Sequence, residues 1–484
     1  MVFPQRKGKM NSNATTKSIY RRRVSPLEAM FLHAPYAIVT MTARIKGKVT
    51  DSMLREAVQK VRARHTNLRL KLEYDEGGDP WFSADDVEAI PIEIIPRKND
   101  QSWMEVVRQQ SLIPFDFENR PAIRFLLVQA PENSELVIFC HHLICDGLSL
   151  AYLARDLMIA LGDPSIELEA LMDPKPIDRD NLPPGVKMNG LVKYFIEKIN
   201  KTWKDERVYF GQQDYQAILE AYWSNFNHQM ILVEFTEEQT TTLVQRCKEE
   251  GVTVNSALAV GLAAAQISVQ GLRPYHSDIT IAGSLRERLT QPAGESMGFF
   301  VGAVSPKYKY QDKLGFWENV RRFNKKVQPL YTNKNLFKDP LVWSYLEPGI
   351  LEALSFKMIG GLVRDSSPQA EKLNSFSHRE DTISSMIKRE KMDSFDEVLI
   401  GTAVTNLTRM DFQRQYGELE LERLIMNPGG AYPLSFVNIL AGAVTCSGKL
   451  SLMLEYAVER IQTDAVEKIK EELISLIYRG AEQA

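Results

Sequence analysis

The sequence predicts a two-lobed α/β protein in which strands and helices interleave within each lobe. Three observations carry this reading. Strand-like and helix-like hydrophobic spacings alternate through both halves of the chain. The stretch DPKPIDRDNLPPGV, residues 173–186, holds four prolines and three aspartates and suits neither helix nor strand, so it separates the halves. The 484 residues, 44% of them hydrophobic, give each half enough apolar material for its own core.

Folding cues begin at Ser25-Pro26-Leu27-Glu28, a capping serine followed by proline at the first helical position and glutamate three residues on. A strand is expected over Ala37–Ile45. Thr50-Asp51 then caps a helix whose Leu54, Ala57, Val58 and Val61 share one face. Asn67–Glu73 alternates Leu68, Leu70 and Leu72 with Arg69 and Lys71, as a half-buried strand does. Ile123–Val128 and Leu136–Cys140 read as a hairpin of buried strands around Pro131-Glu132-Asn133, and a helix follows over Ser149–Leu161.

Past the crossover, an amphipathic helix is expected near Leu191–Trp203, a strand at Met230–Phe235 and helices at Glu237–Glu249 and Asn255–Ile267. Strands are expected near Asp278–Ala282 and at Phe299–Val304, Val398–Val404, Ser435–Val444 and Lys449–Tyr456, with a closing helix at Asp464–Tyr478. The domain reading is a flexible basic tail (1–24), an N-terminal lobe (25–172), a crossover linker (173–188) and a C-terminal lobe (189–484).

Composition narrows the classes. With 25% charged residues, ordinary glycine and proline usage and 4 cysteines, the chain is neither disordered, collagen-like nor a disulfide scaffold. Its net charge of -3 opposes a surface built for nucleic acid. Cys140, Cys145, Cys247 and Cys446 form no CxxC, so reduced thiols are expected and no zinc ribbon. The longest apolar runs, such as Ala257–Ala265 and Phe436–Val444, fall short of the roughly 20 residues that span a bilayer. Residues 1–24 carry Arg6, Lys7, Lys9, Lys17, Arg21, Arg22 and Arg23 with no acid. A solvated tail is expected, with contact to an anionic membrane or partner as the other reading. The tail lacks the apolar core of a secretory signal, so a cytoplasmic protein is expected.

The feature that carries chemistry is His141-His142-Leu143-Ile144-Cys145-Asp146-Gly147, in a chain with only 7 histidines. It lies at the end of a buried strand and before a helix, where neighbouring side chains point to opposite faces. One imidazole can then brace the interior while the other faces a cleft and accepts a proton near neutral pH. Asp146 fits either a histidine contact or a structural ion pair. A metal site is disfavoured, because opposite-facing histidines cannot share an ion and no HxH, HExxH or Cys/His cluster completes the ligands. Gly294-Glu295-Ser296-Met297-Gly298 matches GxSxG by letter, yet it lacks the strand before and helix after Ser296 that a nucleophile elbow needs.

HHLICDG resembles the HHxxxDG signature of the thioester-dependent acyltransferase superfamily. That superfamily includes chloramphenicol acetyltransferase, the condensation domains of nonribosomal peptide synthetases, polyketide-associated acyltransferases, alcohol acetyltransferases and wax ester synthases. Arg64-His65-Thr66-Asn67-Leu68-Arg69 is similar to the RHxxLR segment of condensation domains, and Phe115-Asp116 with Pro121 and Arg124 to their FDxxxxPxxR stretch. In the second half GVTVNSAL (251–258), Ser284-Leu285-Arg286 with Gly298-Phe299-Phe300-Val301, and Thr405-Asn406-Leu407 are similar more loosely. The resemblance spans about residues 25–480. It implies two chloramphenicol acetyltransferase-like lobes, each a mixed sheet with flanking helices, in a V-shaped pseudo-dimer around a central channel.

The resemblance further implies roles. His142 would be the general base and His141 its structural neighbour. Asp146 would pair with an arginine of the second lobe, for which Arg286 is the candidate. The Gly147 amide would face the oxyanion, with Thr405 and Asn406 as further oxyanion or substrate contacts, and His65 and Arg124 would be structural. The co-substrate would be acyl-CoA or a phosphopantetheinyl carrier protein, the acceptor a small alcohol or amine, with no bound cofactor or metal and a monomeric chain. Departures sharpen this: no DFGWG occurs, no carrier or adenylation module accompanies the chain, and the Gly298 segment lacks an asparagine common in condensation domains. A stand-alone acyltransferase of secondary metabolism or lipid-ester formation is the expectation. A condensation enzyme of a peptide or polyketide assembly line is the alternative, and a non-catalytic docking protein of the same fold is a third reading.

Overall fold

A computed structural model describes residues 20–430 and 432–478. Residues 1–19 of the expected basic tail lie outside the described residues. Its last part belongs to the fold: β1 (Arg21–Arg23) pairs antiparallel with β4, so the boundary at 24 moves towards the N-terminus. The remaining strands are β2 (Ile38–Lys46), β3 (Lys71–Tyr74), β4 (Pro80–Ser83), β5 (Ile92–Pro96), β6 (Ile123–Gln129), β7 (Asn133–His141), β8 (His228–Glu234), β9 (Ile279–Ser284), β10 (Val301–Val304), β11 (Ile400–Met410), β12 (Gln415–Tyr416), β13 (Leu419–Asn427), β14 (Val437–Cys446) and β15 (Lys449–Ala457).

Two six-stranded mixed sheets, each with flanking helices, form two lobes. The first has the order β12-β13-β2-β7-β6-β5, and the second β10-β9-β11-β14-β15-β8. A three-stranded ribbon, β1-β4-β3, sits apart from both. In the first sheet β5 and β6 run parallel and the other pairs antiparallel. In the second, β11 runs parallel to both β9 and β14.

The capping signals act where the sequence places them. Ser25 and Glu28 form a reciprocal capping box at the helix Pro26–Ala29, and the Thr50 hydroxyl accepts from the Met53 amide at the head of the helix Asp51–Arg64. The stretch 163–189 contains neither helix nor strand. One expected strand is shorter than its alternation suggests. Thr66–Arg69 turns as a 3₁₀ helix and only Lys71–Tyr74 pairs, although Leu68, Leu70 and Leu72 are all buried.

The contiguous division into lobes at 173–188 requires correction. Strands β12 and β13, from residues 415–427, leave the second half and extend the first sheet, β13 lying antiparallel to β2 with Asn427 opposite Thr40. The core around the first sheet also takes in Ile196, Trp203, Tyr215 and Tyr222 after the crossover, and Leu346, Ile350, Phe356 and Leu373 much later. A second core lies around the helix Val254–Gln270, whose Ala257–Ala265 are buried almost completely. That helix's small side chains let the closing helix Thr463–Tyr478 approach closely, the position of Gly261 facing Leu473. Among the described residues no single helix is long and apolar enough to cross a membrane.

Candidate active site

Strand β7 pairs with β2 along its whole length, Ile38 opposite His141, and then turns through 142–146 into the helix Gly147–Gly162. The two histidines at this corner have different surroundings. His141 is fully buried; its Nε2 lies 3.1 Å from the Ala34 carbonyl, and its Nδ1 accepts from the Leu143 amide at 3.3 Å. One nitrogen donates and one accepts, which suits the neutral ring, and burial lowers its pKa to about 3.

His142 lines a cavity between the lobes. Its Nδ1 lies 3.1 Å from the Cys145 carbonyl within the same turn, and its Nε2 lies 3.1 Å from the Pro428 carbonyl at the end of β13. Phe31 and Phe299 flank the ring at 5.0 and 5.5 Å between centroids. Burial holds its pKa below the ordinary imidazole value, while the two carbonyls and Asp146 pull in the opposite direction.

The structure brings Asp146 and Arg286 together. Asp146 is the N-cap of the helix Gly147–Gly162, its Oδ1 accepting from the Ser149 amide at 2.8 Å. The same oxygen accepts from Arg286 at 2.6 Å, and Oδ2 accepts from the Phe300 amide at 3.1 Å. The Ser149 hydroxyl donates to the Gly298 carbonyl at 3.0 Å. Arg286 also donates to the carbonyls of Gly294 and Ser296. One carboxylate therefore caps a first-lobe helix and clamps the second-lobe segment 298–300, which carries Phe299 to the ring of His142.

Gly147 opens the helix and lines the cavity. A Cβ there would lie 2.6 Å from Met426 Sδ and 3.0 Å from a Leu407 methyl, so the corner has no room for a side chain. Thr405 lines the cavity as well. Asn406 is not among the lining residues and has a role in its own strand. β11 bulges between Asn406 and Arg409, Thr408 adopts φ +64°, and Asn406 Oδ1 holds this kink by accepting from the Thr408 amide at 2.7 Å.

The remaining motif residues are structural in their contacts. His65 Nε2 lies 3.0 Å from Asp156, which also accepts from Arg64 at 2.7 Å. Arg124 donates to the carbonyls of Gln110, Ile113 and Pro114 and stacks on Phe115. Ser296 sits in a loop and its hydroxyl donates to the Met172 carbonyl at 2.9 Å.

The cavity has a volume of about 340 Å³ and is mostly apolar. Both lobes line it: Ile38, Thr40, His142 and Gly147 come from the first, Ala403, Leu440 and Met230 from the second. The sequence reading missed the part of its wall next to His142, Asn427 to Gly429 and Glu455. Alternation over Leu419-Glu420-Leu421-Glu422 marks β13, and a lone acid inside the apolar run Leu450–Ala457 marks Glu455.

Comparison with known proteins agrees with the motifs. Residues 22–161 match the family model for the condensation domain. Nonribosomal peptide synthetase agiA from Aspergillus flavus is 22% identical over 321 residues, 63% of this chain. The chain spans only 4% of that synthetase's length. Among solved structures, a trichothecene 15-O-acetyltransferase from Fusarium sporotrichioides matches with a TM-score of 0.61 at 11% identity, covering 96% of this chain and 97% of that one. Polyketide synthase associated protein 5 from Mycobacterium tuberculosis matches with a TM-score of 0.57 at 15% identity, covering 95% and 98%. Residues 22–161 thus match the condensation domain, and the whole chain shares the two-lobed fold of these solved structures.

Proposed function

We propose that the protein is an acyltransferase that moves an acyl group from a thioester, on coenzyme A or on the phosphopantetheine of a carrier protein, to an alcohol or amine. His142 is its general base. The observation that carries this reading is the position of His142 between two carbonyls at the wall of an interlobe cavity. The Cys145 carbonyl belongs to the same tight turn as the ring and holds the proton on Nδ1. Nε2 is then the basic nitrogen.

The acceptor's hydroxyl or amine hydrogen passes to Nε2 as its oxygen or nitrogen attacks the thioester carbon. The resulting imidazolium donates to the Pro428 carbonyl, so this contact favours the charged ring over the neutral one. The tetrahedral oxyanion faces the Gly147 amide at the head of the helix Gly147–Gly162, a first-turn N–H with no intrahelical partner. The carbon–sulfur bond then breaks and the Nε2 proton returns to the thiolate. Asp146 and Arg286 act as positioning residues.

An amide-forming condensation with carrier-bound donors is supported separately by the family match over residues 22–161. The donor distinguishes the two readings. Wild-type protein and the His142→Ala variant are incubated with an acyl-CoA panel and with pantetheinylated carrier protein in the presence of alcohols and amines, and thiol release is followed. Turnover with free acyl-CoA supports the stand-alone reading; turnover only with carrier protein supports the alternative. Absence of turnover with every donor contradicts both and supports a non-catalytic fold.

A further inference from the structure

Two carboxyls that line the cavity, Asp339 and Glu455, have no place in the chemistry above; Asp339 is exposed, whereas Glu455 is set deeper, beside the wall that carries His142. Glu455 lies on β15 in a row that crosses the second sheet: Ala403 of β11 beside Leu440 of β14, Leu440 beside Glu455, and Glu455 beside Met230 of β8. All four line the cavity, and only Glu455 is charged. Its Oε1 accepts from Asn427 Nδ2 at 2.7 Å, and Asn427 Oδ1 accepts from the Thr40 hydroxyl at 3.1 Å. The chain continues from Asn427 directly to Pro428, whose carbonyl touches His142, so Glu455 and the histidine share one wall.

Among the described residues no cation is paired with Glu455. Arg108, which also lines the cavity, is bonded to Glu105 at 2.6 Å. His228 sits two residues along β8 from Met230 on the same face; its Nε2 is taken up by the Tyr222 hydroxyl, and burial lowers its pKa to about 3. A half-buried carboxylate that faces an apolar cavity without a cation carries a desolvation cost. A glutamine at 455 would accept from Asn427 equally well without that cost, so the interlobe hydrogen bond alone does not account for an acid. Burial raises the Glu455 pKa to about 7, which leaves a carboxyl that ionises readily when a cation enters.

We infer that Glu455, with Asn427 and Thr40, is a binding subsite for a protonated amine, and that the acceptor substrate carries one. The inference rests on the acyl-transfer reading for the word acceptor, but its test does not depend on turnover. Hexylamine, 1-hexanol and hexanoate share one chain and differ in head group. Their binding at pH 8 is measured by calorimetric titration in the wild type, in Glu455→Gln and in His142→Ala. The expected result is about tenfold tighter binding of hexylamine than of hexanol by the wild type, the weakest binding for hexanoate, loss of the amine preference in Glu455→Gln and its retention in His142→Ala. Equal affinity for the amine and the alcohol in the wild type overturns the inference, whatever the variants do. So does an amine preference that survives in Glu455→Gln. Amine preference without acyl transfer from any donor sinks the acyl-transfer reading and leaves the subsite standing.

Discussion

His141 and His142 are neighbours with opposite surroundings because a strand alternates its faces and this strand ends at a cavity. His141 uses both nitrogens on backbone groups, whereas His142 presents Nε2 to the cavity wall. A base works in its neutral form, and burial lowers the His142 pKa. Turnover should therefore persist on the acid side of the ordinary imidazole value of about 6.5 and fall only below it. A pH-rate profile whose acid limb lies above pH 7 contradicts this. Asp146→Ala leaves Arg286 buried without its counter-charge and removes a helix cap, and should cost about 3–5 kcal/mol in denaturant unfolding. Adding Arg286→Met should recover part of that loss. The histidine pair was legible from rarity and position. Glu455 was not, because its role depends on which side of β15 faces the other lobe, and only the fold decides that.

At the scale of elements, the connection after β13 places Pro428 against His142. Gly429 there has φ +61°, and a Cβ would collide with the Ile38 carbonyl and sit 3.2 Å from His142 Nε2. Gly429→Ala should lower turnover about tenfold or more by displacing this carbonyl from the ring, with a smaller change in melting temperature. Unchanged kinetics in that variant would show that the Pro428 contact has no part in the reaction. Capped helices and the hairpin β6–β7 could be read locally, since caps and alternation are properties of a few adjacent residues. β13 could not be assigned to its sheet, because its partner β2 lies nearly 400 residues earlier in the chain. The Leu68–Leu72 alternation misled for a related reason: Leu68 lies in the 3₁₀ turn, Leu70 follows it and Leu72 lies in β3, and tertiary packing buries all three without one continuous strand.

For the whole molecule, strand exchange makes the lobes interdependent. A fragment of residues 1–188 lacks β13 and the later helices that complete its core, and should show no cooperative unfolding transition. Acid should also destabilise the chain. His141 and His228 have folded pKa values of about 3 and His276 of about 4, below the unfolded value of about 6.5, so the unfolded chain binds more protons in that window. Their contribution is complete above pH 6.5 and declines as pH falls. Glu455, raised to about 7, acts in the opposite direction but is a single group. Melting temperature should therefore drop between pH 7 and pH 5. The central claim is that His142 is the base of an acyl transfer carried out between the lobes. The most direct measurement is thiol release from an acyl thioester, by wild type and His142→Ala at matched folded concentration. The account predicts acceptor-dependent release in the wild type and at least a 100-fold loss, about 2.7 kcal/mol of transition-state stabilisation, in the variant. Release by His142→Ala at near the wild-type rate contradicts it.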